Sequence, residues 1–155
     1  MNSSLKPTKA FVFTSWAALA IALCAYAIGL LNAGLQLNEK GYYLVVMLFG
    51  LFSVITLQKT VRDEMEGIKV TSAYKMLVIA CVAIACALMV IGLWNADTLA
   101  LNEKGFFAIA FVLALFSAIV TQKNVRDLSY FEQETPHNIA SSPSTETADT
   151  ASEKL

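Results

Sequence analysis

Charged side chains are scarce in this 155-residue chain: they make up 15% of it, whereas soluble domains usually carry about 25%. Histidine occurs once and cysteine three times, and their spacing matches no zinc or redox motif. We therefore expect no metal site and no cofactor. The formal net charge of −1 excludes a protein that binds nucleic acid through bulk positive charge, so nucleic acid is not an expected partner.

Hydrophobic residues, in contrast, make up 57% of the chain and give it a mean hydropathy of +0.60. They fall into four runs without Asp, Glu, Lys, Arg or His, at residues 11–31, 42–57, 76–94 and 106–121. Such runs are typical of membrane-spanning helices. The sequence predicts an all-α membrane protein with four transmembrane helices, at about residues 11–31, 39–61, 76–94 and 103–125.

The chain also contains an internal repeat with an offset of 64 residues. Three motifs recur at this offset: LNEKG at 37–41 and 101–105, LFS at 51–53 and 115–117, and QKxVRD at 58–63 and 122–127. Over the 27 positions from the first motif to the last, 14 are identical. Each half is predicted to be a two-helix hairpin, and both halves enter the membrane in the same direction. The predicted symmetry is a pseudo-two-fold axis along the membrane normal.

These motifs, with GLLNA and GLWNA ahead of the two LNEKG copies, resemble the YiaA/YiaB family of bacterial inner-membrane proteins, built from YiaAB two-helix units. The resemblance covers about residues 11–127. It implies architecture and an inner-membrane location, but no activity. The chain is thereby divided into an N-terminus (1–10), a first two-helix unit (11–63), a linker (64–75), a second two-helix unit (76–127) and a tail (128–155).

The second and fourth apolar runs alone are too short to cross a hydrocarbon core of about 30 Å. Asn38 and Asn102 are predicted N-caps that extend these two helices. Glu39 and Glu103 then lie in the first turn, where the helix dipole favours a carboxylate.

Positive charges near the helix ends predict the orientation. Eight lie before the first run, between the second and third runs or just after the fourth run, whereas the other two connections contain only Lys40 and Lys104. Both termini are therefore predicted to be cytoplasmic. Aromatic residues at the opposite face are expected to be interfacial anchors: Tyr42, Tyr43, Trp94, Phe106 and Phe107.

The composition changes after residue 127 to Ser, Thr, Glu, Asp, Pro and Ala without an apolar period. Such a segment cannot bury enough surface to offset the entropy of ordering it. Residues 128–155 are predicted to form a disordered cytoplasmic tail.

No constellation for catalysis is visible, such as a nucleophile paired with a base or a phosphate-binding glycine loop. The apolar runs also lack the ionisable residue that a proton-coupled carrier usually keeps at membrane depth. We expect a non-enzymatic protein of the lipid bilayer that acts by association with itself, another inner-membrane protein or anionic lipid. A small oligomeric channel or carrier is the alternative hypothesis.

The repeated charged motifs supply the candidate interaction or anchoring residues. In chain order they are Asn38, Glu39, Lys40, Lys59, Arg62, Asp63, Asn102, Glu103, Lys104, Lys123, Arg126 and Asp127. Two interpretations stay open: a docking surface for lipid or a partner, or helix capping and topology anchoring. On the docking interpretation, Lys59 and Arg62 form one basic site, and Lys123 and Arg126 form a second, symmetry-related one.

Overall fold

The computed structural model describes residues 7–140 of the chain, with side chains through residue 128, and it consists of four helices. These are α1 (Lys9–Asn32), α2 (Leu37–Met65), α3 (Ser72–Asn95) and α4 (Leu101–Ala140). All four are long and apolar enough to cross a membrane, with the span in α4 at Leu101–Leu128. Since the described residues contain no strand, the prediction of an all-helical protein with four membrane-spanning helices agrees with the structure.

The end of α4 differs from the prediction. A disordered tail was expected from residue 128, yet α4 continues to Ala140, so residues 128–140 are helical. Extension of an existing helix needs no new nucleation, and the glutamates and glutamine at 132–134 are good helix formers. The rest of the predicted tail, residues 141–155, lies outside the described residues.

The helices pack mainly across the two halves of the sequence. α1 lies along α4 and α2 lies along α3, whereas α1 and α2 make few contacts with each other. α2 and α4 also pack against each other, which makes them the two central helices. We call the end of the bundle with the QKxVRD motifs the basic end, and the end with connections 33–36 and 96–100 the short-loop end.

The two central helices approach closely near Gly50 of α2. A Cβ atom built on Gly50 would lie 2.9 Å from Cζ of Phe111 and 3.2 Å from Cδ2 of Leu115, both in α4. Ala114, the repeat equivalent of Gly50, is fully buried. Small residues let helix backbones approach in lipid, where apolar attraction between helices is weak. Gly50 and Ala114 therefore allow the contact between α2 and α4.

Three aromatic rings fill the core on the short-loop side of this contact. Tyr43 stacks on Phe107 with ring centroids 5.8 Å apart, and Tyr26 meets Phe107 edge-on at 5.4 Å. Tyr43 and Phe107 are each 2% exposed, so the prediction that they are interfacial anchors is wrong. Their neighbours Tyr42 and Phe106, which point about 100° away around the helix, are partly exposed.

A buried polar pair joins α1 to α4 towards the basic end. Asn124 Nδ2 donates to Oγ of Ser15 over 2.9 Å, and the Ser15 hydroxyl donates to the carbonyl of Val12. The repeat equivalents of Asn124 and Ser15 are Thr60 and Val78, which are also buried. The two halves thus bury the same positions with different polarity.

The connection between α2 and α3 is closed by a glycine and an ion pair. Gly67 has a φ of 77°, a left-handed conformation that glycine adopts readily and that ends α2. Lys75 Nζ lies 2.6 Å from Oε2 of Glu64, which ties the start of α3 to the end of α2. The linker is therefore a short, defined turn.

Candidate functional site

A groove of about 330 Å³ opens between α2 and α4 at the basic end. We call it the basic groove; it is lined by Ile55, Gln58, Lys59, Arg62, Gln122, Lys123, Val125 and Arg126. Three of its residues from each helix occupy equivalent positions in the repeat. The groove is thus built from one copy of QKxVRD on each side.

The spacing within each motif explains why these side chains meet. Gln58 and Lys59 lie four and three residues before Arg62, so all three share one face of α2. The same spacing applies in α4, and α2 and α4 are neighbours that both run from the short-loop end to the basic end. Two separate basic sites were predicted, but the structure brings both copies to one groove.

The arginines of the groove are held by carboxylates. Arg62 Nη2 lies 3.3 Å from Oδ1 of Asp63, and its Nε lies 3.5 Å from Oε1 of Glu66. Arg126 Nε lies 3.4 Å from Oδ1 of Asp127. Both guanidinium groups are therefore partly neutralised within their own helix.

The lysines of the groove have a different environment. Across the described residues, neither Lys59 nor Lys123 has a hydrogen-bond or ion-pair partner, and both are exposed. The sequence spacing also allowed an ion pair between Lys59 and Asp63, but Asp63 pairs with Arg62 instead. Two ammonium groups thus remain available to an external anion.

Gln58 and Gln122 were missed as candidate residues by sequence reasoning. Both line the groove, and within the described part of the chain neither amide is hydrogen-bonded. The signal was present, because each opens its copy of QKxVRD. A selection of candidate residues by charge omits glutamine, because its side-chain amide is neutral.

The LNEKG motif at the short-loop end serves the helix ends. Glu39 Oε2 accepts a 2.8 Å hydrogen bond from the backbone N–H of Gln36, and Glu103 accepts an equivalent bond from Ala100. Lys40 Nζ donates to the carbonyl of Leu31, near the end of α1, over 2.8 Å. Such bonds satisfy backbone groups that a helix terminus leaves unpaired, and a cap is worth about 0.5–2 kcal/mol.

Asn38 and Asn102 are not the N-caps that the sequence predicted. α2 begins at Leu37 and α4 at Leu101, so both asparagines lie inside the first turn with exposed side chains. A glutamate at the third helical position already reaches back to the preceding N–H, which moves the start of the helix before the asparagine. Lys104 is half-buried in the same turn.

A second cavity, of about 310 Å³, lies at the short-loop end between the start of α2 and the end of α3. Tyr42 lines it and donates from its hydroxyl to the carbonyl of Leu88 over 2.6 Å. The hydroxyl of Tyr43 is buried and has no hydrogen-bond partner in the described part of the chain. The equivalent positions in the other half, Phe106 and Phe107, carry no hydroxyl.

Comparison with known proteins identifies the family. The family described as the yiaA/B two helix domain matches the chain twice, at residues 11–63 and 74–127. The chain belongs to this family. Inner membrane protein YiaA of Escherichia coli (strain K12) is 53% identical over 118 residues, which cover 76% of this chain and 81% of that protein.

A shorter match is Uncharacterized membrane protein YubF of Bacillus subtilis (strain 168), which is 54% identical over 37 residues. That match covers 24% of this chain and 42% of YubF. No solved structure matches the chain. The family and the four apolar helices together support a multi-pass protein of the inner membrane.

The family matches also show how the basic groove is composed. Each of the two matched YiaAB units contributes one central helix and one copy of QKxVRD. Neither unit alone supplies both walls of the groove. The candidate site therefore exists only where two units meet.

Proposed function

We propose that this protein is a non-enzymatic inner-membrane protein that acts by association, and that its basic groove binds anionic lipid. The observation that supports this most is the convergence of four cations, from two YiaAB units, in one groove. Its lining offers positive charge and amide donors, which suit an anion. It contains no carboxylate, histidine or hydroxyl that could act as a base or nucleophile.

The depth of the groove favours a lipid headgroup. QKxVRD follows directly after each central apolar run, so its lysines and arginines lie at the headgroup level of a membrane that covers those runs. Three carboxylates pair with the arginines, which leaves an excess of positive charge among the groove residues. Each cation near an anionic membrane surface gains about 1 kcal/mol.

The lipid-binding proposal is tested by neutralising the groove. In the variant with Lys59, Arg62, Lys123 and Arg126 all changed to Gln, we expect retention of phosphatidylglycerol during purification to fall at least about tenfold. Lipid extraction followed by mass spectrometry measures this.

The matched control changes four other cations, which in the sequence lie before the first apolar run or between the two halves. These are Lys6, Lys9, Lys69 and Lys75, each replaced by Gln. Both variants lose the same charge, so a general attraction to the membrane surface would lower retention equally in both. Equal retention by the groove variant and the unaltered chain would refute the proposal.

We also propose that both termini are cytoplasmic, because eight cations lie at the basic end or in the segments joined to it and only two at the short-loop end. Reporter fusions after Leu155 and after Lys69 are expected to report the cytoplasm, and fusions near Thr98 the periplasm. A periplasmic signal at Leu155 would contradict this orientation.

The finer architecture that we propose is a pseudo-two-fold axis along the membrane normal, between α2 and α4 and close to Gly50. Equivalent contacts occur on both sides. Gly29 of α1 lies against the ring of Phe106, just as Gly92 of α3 lies against the ring of Tyr42. The pairing of α1 with α4 likewise corresponds to that of α3 with α2.

A further inference from the structure

We infer that the basic groove holds a single lipid phosphate, bound by Lys59 and Lys123 from the two units, whereas Arg62 and Arg126 position these lysines. This inference rests on the proposed function, in which the groove binds anionic lipid. It names the groups that contact the ligand and fixes the stoichiometry at one per chain.

The first argument is the contrast between lysines and arginines. Asp63, Glu66 and Asp127 lie 3.3–3.5 Å from the two guanidinium groups, so carboxylates of the same helix already neutralise part of the positive charge of each arginine. Lys59 and Lys123 are exposed and have no partner within the described residues. The ligand therefore meets the ammonium groups first.

The second argument gives the arginines their role. Asp63 lies four residues after Lys59, and Asp127 four after Lys123, a spacing at which a carboxylate on a helix reaches a lysine. In the structure both carboxylates are engaged by the adjacent arginine. Each arginine thus prevents an aspartate from occupying the lysine that the ligand needs.

The third argument concerns stoichiometry and the kind of ligand. Both lysines and the amides of Gln58 and Gln122 line one groove of about 330 Å³, so two phosphates bound there would repel each other. Ile55 lines the groove one helical turn deeper than Lys59. An apolar wall on the membrane side and donors on the water side suit the phosphodiester of a lipid better than free phosphate.

The experiment is a titration of the purified full-length chain with dioleoyl phosphatidylglycerol, followed by native mass spectrometry. We expect one tightly bound lipid per chain. Because the site is shared, Lys59→Gln alone and Lys123→Gln alone should each weaken binding at least about tenfold. Two independent sites would instead leave one lipid bound with unchanged affinity in each single variant, which would overturn the inference.

The positioning role predicts a rescue. Arg62→Gln with Arg126→Gln is expected to weaken binding, and adding Asp63→Asn and Asp127→Asn is expected to restore it within about threefold. The matched control adds the same two Asn substitutions to Lys59→Gln with Lys123→Gln. This control has the same net charge but no ligand-binding lysines, so we expect it to remain weak.

Restoration in both quadruple variants would show that only net charge matters, and restoration in neither would show that the arginines contact the ligand. Either result overturns the inference. Lys59→Arg with Lys123→Arg keeps the charges and should still bind, which separates loss of contact from misfolding.

Two further arms complete the test. Millimolar inorganic phosphate should not displace the lipid; displacement would assign the groove to free phosphate and refute the lipid ligand. Lipid loss in the variant with all four groove cations neutralised, together with full binding by the lysine double variant, would refute this inference and leave the proposed function intact. Full binding by both variants would refute the proposed function itself.

Discussion

Gly50→Leu is expected to destabilise the four-helix bundle by about 1–3 kcal/mol, since overpacking a tight core contact costs this much. The new side chain would begin at a Cβ only 2.9 Å from Phe111, which is 2% exposed and cannot swing into the lipid. α2 and α4 would have to separate. Since they form the two walls of the basic groove, retention of anionic lipid should fall as well.

The chain offers a matched control for this substitution in the same helix. Gly41 also lies in α2, but a Cβ atom built there has no neighbour within 4 Å. Gly41→Leu makes the same chemical change and gains the same helix propensity without a clash. Unfolding in a titration of mixed micelles with SDS measures both; equal stability of the two variants would show that α2 and α4 are not tightly packed at Gly50.

The four helices are predictable from the sequence because each apolar run lacks charge over a membrane-spanning length. Which helices pack against each other, however, cannot be predicted from the sequence. α1 and α3 are apolar around their whole circumference, so no stripe distinguishes the side that faces protein from the side that faces lipid. Loop length favours neighbours in sequence, yet α1 packs on α4 and shares the buried hydrogen bond between Ser15 and Asn124 with it.

The aromatic residues show the same limit on a smaller scale. Tyr42 and Tyr43 are adjacent and chemically identical, and only one of them can point into the bundle. The structure buries Tyr43 and leaves Tyr42 36% exposed against Gly92. An aromatic residue at a helix end suits an interfacial anchor and a core residue equally well, so composition could not separate them.

The candidate site was predictable in its charges but not in its assembly. The repeat identified Lys59, Arg62, Lys123 and Arg126, and their position just after the apolar runs placed them at the headgroup level of the membrane. That they share one groove depends on the contact between α2 and α4, which the sequence does not reveal. The preference of Asp63 for Arg62 over Lys59 depends on side-chain geometry as well.

The pairing of helices across the two units predicts that a chain cut in the linker stays together. With a protease site inserted after Gly67, the cleaved protein should elute in mild detergent as one particle that contains both halves. The main contacts of α1 are with α4 and those of α2 with α3, so the cut removes a peptide bond but no major helix contact. If each half packed on itself instead, only the contact between α2 and α4 would join the two halves.

Cross-linking distinguishes these two arrangements directly. The side chains of Ser15 and Asn124 meet at 2.9 Å, so cysteines at both positions lie within reach of a short bis-methanethiosulfonate cross-linker. The three native cysteines are first changed to alanine. After cleavage, Ser15→Cys with Asn124→Cys should hold most of the two halves together on a non-reducing gel.

The control pairs Ser15 with Thr60, the residue of its own unit that is equivalent to Asn124 in the repeat. Ser15→Cys with Thr60→Cys should leave the two halves separate after cleavage and form little cross-link within the first half. Efficient cross-linking to Thr60 and none to Asn124 would mean that each YiaAB unit packs on itself. The two walls of the basic groove would then come from two self-contained units, and the exchanged packing of α1 and α3 would be refuted.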